Sequence, residues 1–96
     1  MPTETVERQR SAGPGAEFGG SWQVIVRNDN HNTFDHVAQT LARVLPAVSL
    51  ENGHRLAQQI HHAGQAIVWI GPREPAEHYW ELLGAAGLTM APLERG

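Results

Sequence analysis

The chain has no cysteine and no lysine. Without cysteine there is no disulfide framework and no thiolate metal site, and the chain suits a reducing compartment, so a cytoplasmic location is expected. Without lysine, Schiff-base chemistry is excluded and lysine-directed tagging has no side-chain acceptor; all seven basic residues are arginine. Long apolar runs are also missing. The longest, Ala66–Ile70, is far below the ~20 residues that cross a bilayer, and Met1-Pro2-Thr3-Glu4 opens no secretion signal. Basic charge is scarce as well: the formal net charge is -3, which leaves no stripe to neutralise phosphates. Neither nucleic acid nor membrane is an expected partner. No serine stands in a nucleophile motif, so an enzyme that would use His61 as base and Asp29 as its orienter is not expected. Six histidines raise the question of zinc, but His61 and His62 are adjacent and leave a helix on different sides, whereas zinc needs three or four converging ligands. No metal and no cofactor are expected.

What is present is one small domain's worth of apolar residues, 41% of 96. Residues 1–21 hold four glycines, two prolines and only Val6 and Phe18 as sizeable apolar groups, too few to offset ordering entropy, so a flexible N-terminal extension is expected there and a domain over 22–96. Trp22–Arg27, with Trp22, Val24 and Val26 on one side, reads as a strand. Asn32 or Thr33 then caps a helix with Phe34, Val37, Ala38, Leu41, Val44 and Leu45 at helical spacing, stopped by Pro46. Ser49 caps a second helix of similar length, with Leu50, Leu56, Ala57 and Ile60 inward and Gly64 as its stop. Gln65–Ile70 predicts a strand apolar enough to lie centrally under helices. A third helix is expected from Pro75 to Gly87, and a last strand over Leu88–Leu93, interrupted or at an edge because Pro92 donates no hydrogen bond. The order β-α-α-β-α-β predicts an α+β, two-layer domain with a small antiparallel sheet covered on one face by three helices.

The short link after Pro46 folds the first two helices antiparallel, which returns Ile60 and His61 beside Asn28, Asp29 and Phe34. Asn28 Oδ1, the Asp29 carboxylate and a neutral His61 nitrogen are three acceptors of different kinds, and an α-ammonium group offers three donors. Phe34 and Val37 put an apolar wall next to them. The expected ligand therefore has a cationic end and a bulky apolar end. Helical phase selects His61, one turn after Ala57, over His62.

The stretch Asn28-Asp29 with Asn32-Thr33-Phe34-Asp35, the segment Ile60-His61-His62-Ala63-Gly64-Gln65-Ala66, and the ending Gly87–Glu94 together resemble the ClpS adaptor family over nearly all of residues 22–94. The Asn32–Asp35 helix start and the Gly87–Glu94 ending are more like cyanobacterial and plastid members than enteric ones. The resemblance implies the family's ClpS fold, and an adaptor that is not an enzyme and acts as a monomer. Such an adaptor recognises proteins with a destabilising first residue, bulky and apolar with a free α-amino group (N-degrons), and delivers them to a Clp ATPase and its protease. It implies that Asn28, Asp29 and His61 hold the α-amino group, that Asn32, Phe34, Val37, Ala57 and Ile60 line the side-chain pocket, and that Glu74 docks on the N-terminal domain of a ClpC-type or ClpA-type ATPase. It also gives the N-terminal extension a role in delivery. Three positions depart from the familiar pattern: Asn30 where a second acid is frequent, Ala57 where a methionine gates the pocket, and Tyr79 where a basic residue faces the ATPase. A stalk-domain-like interaction module without N-terminal residue recognition has a similar two-layer shape, and is the alternative reading.

Overall fold

The computed structural model describes residues 21–96; of the extension expected over 1–21, only Ser21 falls within them. The elements are β1 (Trp22–Arg27), α1 (Phe34–Val44), α2 (Leu50–Ala63), β2 (Gln65–Gly71), α3 (Arg73–Ala85), β3 (Thr89–Met90) and β4 (Glu94–Arg95). The predicted α+β order is the observed one, with the final strand divided. All strand pairs are antiparallel, and β1 is the hub: β2 pairs with it on one side, β3 and β4 on the other.

The central strand is thus β1 and not β2. Val24, Ile25 and Val26 are all at most 3% exposed, as a strand buried on both faces requires. In β2, Ala66 and Val68 are buried while Ile67 and Ile70 are 43% and 55% exposed. A continuous apolar run reads as a central strand, but here one side of it faces outward. The register shifts by one residue between Val24 and Ile25 against β2, a bulge that re-aims the second half of the strand.

The last strand breaks where Pro92 demands it. Ala91 still donates to the Ile25 carbonyl at 3.0 Å, the chain then leaves the ladder, and Glu94 and Arg95 rejoin it opposite Gln23 and Trp22. The third helix begins at Arg73, two residues before the expected start, with Pro72 as its cap residue. Pro75 therefore occupies the third helical position, where its missing N–H is still one of the unpaired donors of a first turn. Leu50, expected inward, is half exposed at the start of α2.

Val24, Val26, Ala66 and Val68 from the sheet share one core with Val37 and Leu41 of α1, Leu45 just after it, Ala57 and Ile60 of α2, and Ala76 and Leu83 of α3. All three helices therefore cover the same face. Of the two caps open to α1, Thr33 acts: its hydroxyl accepts from the His36 N–H at 3.0 Å. Ser49 does the same for α2, and Gly64 ends it in the left-handed region at φ 89°. The two helices approach so closely that a Cβ on Gly53 would lie 2.4 Å from the Ala38 carbonyl oxygen. That contact fixes the hairpin, and with it where the end of α2 meets the start of α1.

Candidate functional site

The site forms where β1 ends. Asn28 N–H donates to the Gly64 carbonyl at 2.9 Å, which ties the end of the strand to the end of α2. Across the same gap the rings of Phe34 and His61 meet edge to face, centroids 5.1 Å apart. The antiparallel hairpin thus brings together groups about thirty residues apart in sequence.

Between β1 and α1 the chain wraps around the Asp29 carboxylate. Oδ1 accepts from the backbone N–H groups of His31 and Asn32, both at 2.8 Å. Oδ2 accepts from Asn32 Nδ2 at 2.8 Å and from the Thr89 hydroxyl at 2.6 Å. An ionised carboxylate has about four lone-pair directions, and all are engaged. Partial burial of the carboxyl opposes ionisation, but the bonds from Thr89, Asn32 and His31 outweigh it and hold the group well below the usual carboxylate range. Asp29 is therefore ionised throughout the physiological range. It offers the site a fixed negative charge more than a vacant lone pair.

Asn32 is a strut in the same turn. Its side-chain amide also donates to the Gly87 carbonyl at 2.9 Å, tying the turn to the loop after α3. A second tie lies beside it: His36 Nε2 is 2.9 Å from the Ala86 carbonyl, and since a carbonyl only accepts, that nitrogen carries the proton. Asn28 and His61 differ from these. Both are exposed, and among the described residues neither side chain has a hydrogen-bond partner. Their polar atoms remain available to a ligand.

The eight residues predicted for ligand contact, Asn28, Asp29, Asn32, Phe34, Val37, Ala57, Ile60 and His61, all line one cavity of about 190 Å³. A cavity of roughly 150 Å³ is enough to admit benzene. Buried Val37, Ala57 and Ile60 supply its apolar wall, while Phe34 stays 42% exposed at the rim. His62 is not part of the lining. Glu74 is elsewhere, exposed in the first turn of α3. That turn follows the far end of β2, about 20 Å along the strand from Gln65 at the rate of ~3.3 Å per residue.

Sequence reasoning had not assigned Val26, Arg27, Asn30 and Leu88, which also line the cavity, nor Thr89 and Gly87, which brace it. Val26 and Leu88 were legible as core-facing residues next to a turn. Thr89 was not, because its place opposite Arg27 depends on the register of a two-residue strand.

Comparison with known proteins follows the same outline. The profile of the ATP-dependent Clp protease adaptor protein ClpS matches residues 19–94. The chain belongs to the ClpS family. Its relatives include the ClpS adapter of Nostoc sp., 48% identical over 90 residues and covering 94% of this chain and 93% of that one. The ClpS adapter of Thermosynechococcus vestitus is 53% identical over 74 residues, 77% of this chain and 79% of the other. Among solved structures, Agrobacterium tumefaciens ClpS2 bound to L-phenylalaninamide aligns with a TM-score of 0.70 over 79% of this chain and 96% of that one, at 24% identity, a likeness of fold. As a ClpS-family protein the chain is an adaptor of the Clp protease, not an enzyme, and the kind of partner it serves is a Clp ATPase. No helix among the described residues is long and apolar enough to cross a membrane.

Proposed function

We propose that the cavity binds the first residue of a protein whose α-amino group is free and whose side chain is bulky and apolar, and that the adaptor hands such proteins to a Clp ATPase for degradation. The observation that carries this reading is the placement of Asn28, the Asp29 charge and His61 at the mouth of a cavity of about 190 Å³ whose wall is apolar. The ligand of the Agrobacterium ClpS2 structure supports it, since L-phenylalaninamide joins an α-ammonium group, a benzyl group and an amide like the one that follows a first residue. In this reading Asn28 Oδ1 and a His61 nitrogen accept from the ammonium, Asp29 supplies the countercharge, and Phe34, Val37, Ala57 and Ile60 enclose the side chain. Asn32 holds the turn that presents them.

The energetics suit a transient carrier. Burying a phenylalanine side chain removes about 200 Å² from water and contributes on the order of 5 kcal/mol. Each charge-assisted hydrogen bond adds roughly 1.5 to 3 kcal/mol, against an association cost of about 4 kcal/mol or more. Glu74, on the first turn of α3 and outside the cavity lining, serves the ATPase in this reading, so substrate and unfoldase are held at different ends of the domain. Residues 1–21 serve delivery.

Fluorescence anisotropy with a labelled peptide beginning with Phe tests the proposal. The free peptide binds, and its N-acetylated form, which has lost the charge and two donors, binds at least about 100-fold more weakly, the equivalent of two charge-assisted bonds at the low end of their range. Equal affinity of the two peptides would show that the cavity does not read an ammonium group.

A further inference from the structure

Thr89 reaches the site from the far end of the chain, sixty residues after Asp29, and its hydroxyl gives the shortest hydrogen bond in the turn, 2.6 Å to Oδ2. Packing does not explain it. Thr89 is exposed, while its neighbours Leu88 and Ala91 are 5% and 2% exposed and belong to the interior. Its register opposite Arg27 sets it one residue from Asn28 across the ladder, and Asn28 is the residue whose amide is open to a ligand. Without Thr89, Oδ2 would keep only the Asn32 side chain, which is shared with the Gly87 carbonyl.

The donors around Asp29 are all neutral: two backbone N–H groups, one amide and one hydroxyl. Among the described residues no arginine or histidine forms an ion pair with it, although Arg27 and His61 line the same cavity. This matters because a cationic partner would fix the carboxylate and cancel its charge, whereas neutral donors fix it and leave the charge to act on a ligand. Of the charged and titratable groups nearby, Arg27 and His61 face the same cavity, and among the described residues neither bonds the carboxylate. Asp35 of α1 faces His54 of α2 at 3.8 Å, and His31 meets Asp29 through its backbone alone.

We propose that Thr89 is a positioning residue of the ammonium site: its hydroxyl pins the Asp29 carboxylate, by a neutral bond, where the charge faces a ligand cation held by Asn28 and His61. The inference rests on the proposed α-amino site and adds a residue that acts on it through Asp29. It makes β3 part of the recognition apparatus.

The test compares the full chain with T89V, which removes the hydroxyl at constant shape, and with T89S, which keeps it. Two quantities are measured: the Asp29 carboxyl titration by ¹³C NMR in the free protein, and the affinity for a peptide beginning with Phe at neutral pH. In T89V the titration midpoint moves up by about one pH unit, the scale of one hydrogen bond to a charged group, and affinity falls about 3- to 10-fold; T89S restores both. An unmoved midpoint in T89V overturns the proposal, as does a moved midpoint with unchanged affinity, or a T89S protein that behaves like T89V. A wild-type protein that does not bind the Phe peptide at all refutes the α-amino site itself, a result distinct from wild-type binding that T89V leaves intact.

Discussion

Ala57 is the residue at which the size of the cavity can be tested most directly. It is 3% exposed, lines the cavity, and stands one helical turn before His61. A methionine there adds Cγ, Sδ and Cε to a wall that now leaves about 190 Å³ open. Phe34 does not fill that space, since its ring stands edge-on to His61 and is 42% exposed. A first residue branched at Cβ needs room close to the ammonium, the region a longer side chain at position 57 would narrow; an unbranched benzyl group can pass beneath it. Changing Ala57 to Met is therefore expected to sharpen the preference for Phe over Ile at the first position by roughly 1 to 3 kcal/mol, a change of about 10- to 200-fold in the affinity ratio. The assay is peptide binding by anisotropy or calorimetry with sequences that differ only in their first residue, alongside a melting curve to show that A57M is folded. A folded A57M protein with the wild-type Phe-to-Ile ratio would refute the reasoning.

Two further expectations concern stability. Asp29→Asn removes a charge that four donors stabilise and is expected to cost roughly 1 to 3 kcal/mol at pH 7. Because the folded carboxyl titrates below the unfolded one, this contribution is complete above the unfolded value of about 4 and is lost as pH falls toward the folded value. Urea melts of the two proteins should thus differ at pH 7, with the gap narrowing progressively as pH falls below about 4; a constant difference would argue against the charge as its source. Gly53→Ala should lower stability by about 1 to 3 kcal/mol, because the new Cβ would meet the Ala38 carbonyl oxygen at 2.4 Å and force α1 and α2 apart. A melting temperature lowered by less than about 2 °C would show that the hairpin yields more easily than its packing indicates.

The parts of this molecule that sequence reasoning reaches are those governed by local rules. Ser49, Gly64 and Gly87 mark helix ends because capping and left-handed backbone depend on nearby residues. The meeting of Ile60 and His61 with Asn28, Asp29 and Phe34 was legible because two helices joined by a short link must return antiparallel, while the rest of the predicted lining came with the ClpS resemblance. What was missed depends on sheet arrangement. β2 reads as central from its apolar residues, yet which strand is the hub is decided by the pairing of three others, and Ile67 and Ile70 face outward. The start of α3 was placed at Pro75 because proline favours a first turn, and the helix accommodates it two positions in. The ties from Gly87 and Thr89 to the turn span 55 and 60 residues and follow from no periodicity.

Those long ties bear on how the protein is made. Asn28 and Asp29 lie near the start of the described chain, but the donor and carbonyl that brace their turn come from residues 87–89, near its end. During synthesis, the turn around Asp29 leaves the ribosome well before its braces do, and a chain ending ahead of Gly87 lacks both those braces and Leu88 of the cavity lining. In the proposed function, competence to bind a first residue then waits on the pairing of β3 with β1. If the cavity acts as proposed, prematurely terminated copies would compete poorly for its ligand, and the active pool would consist of chains translated at least through Thr89.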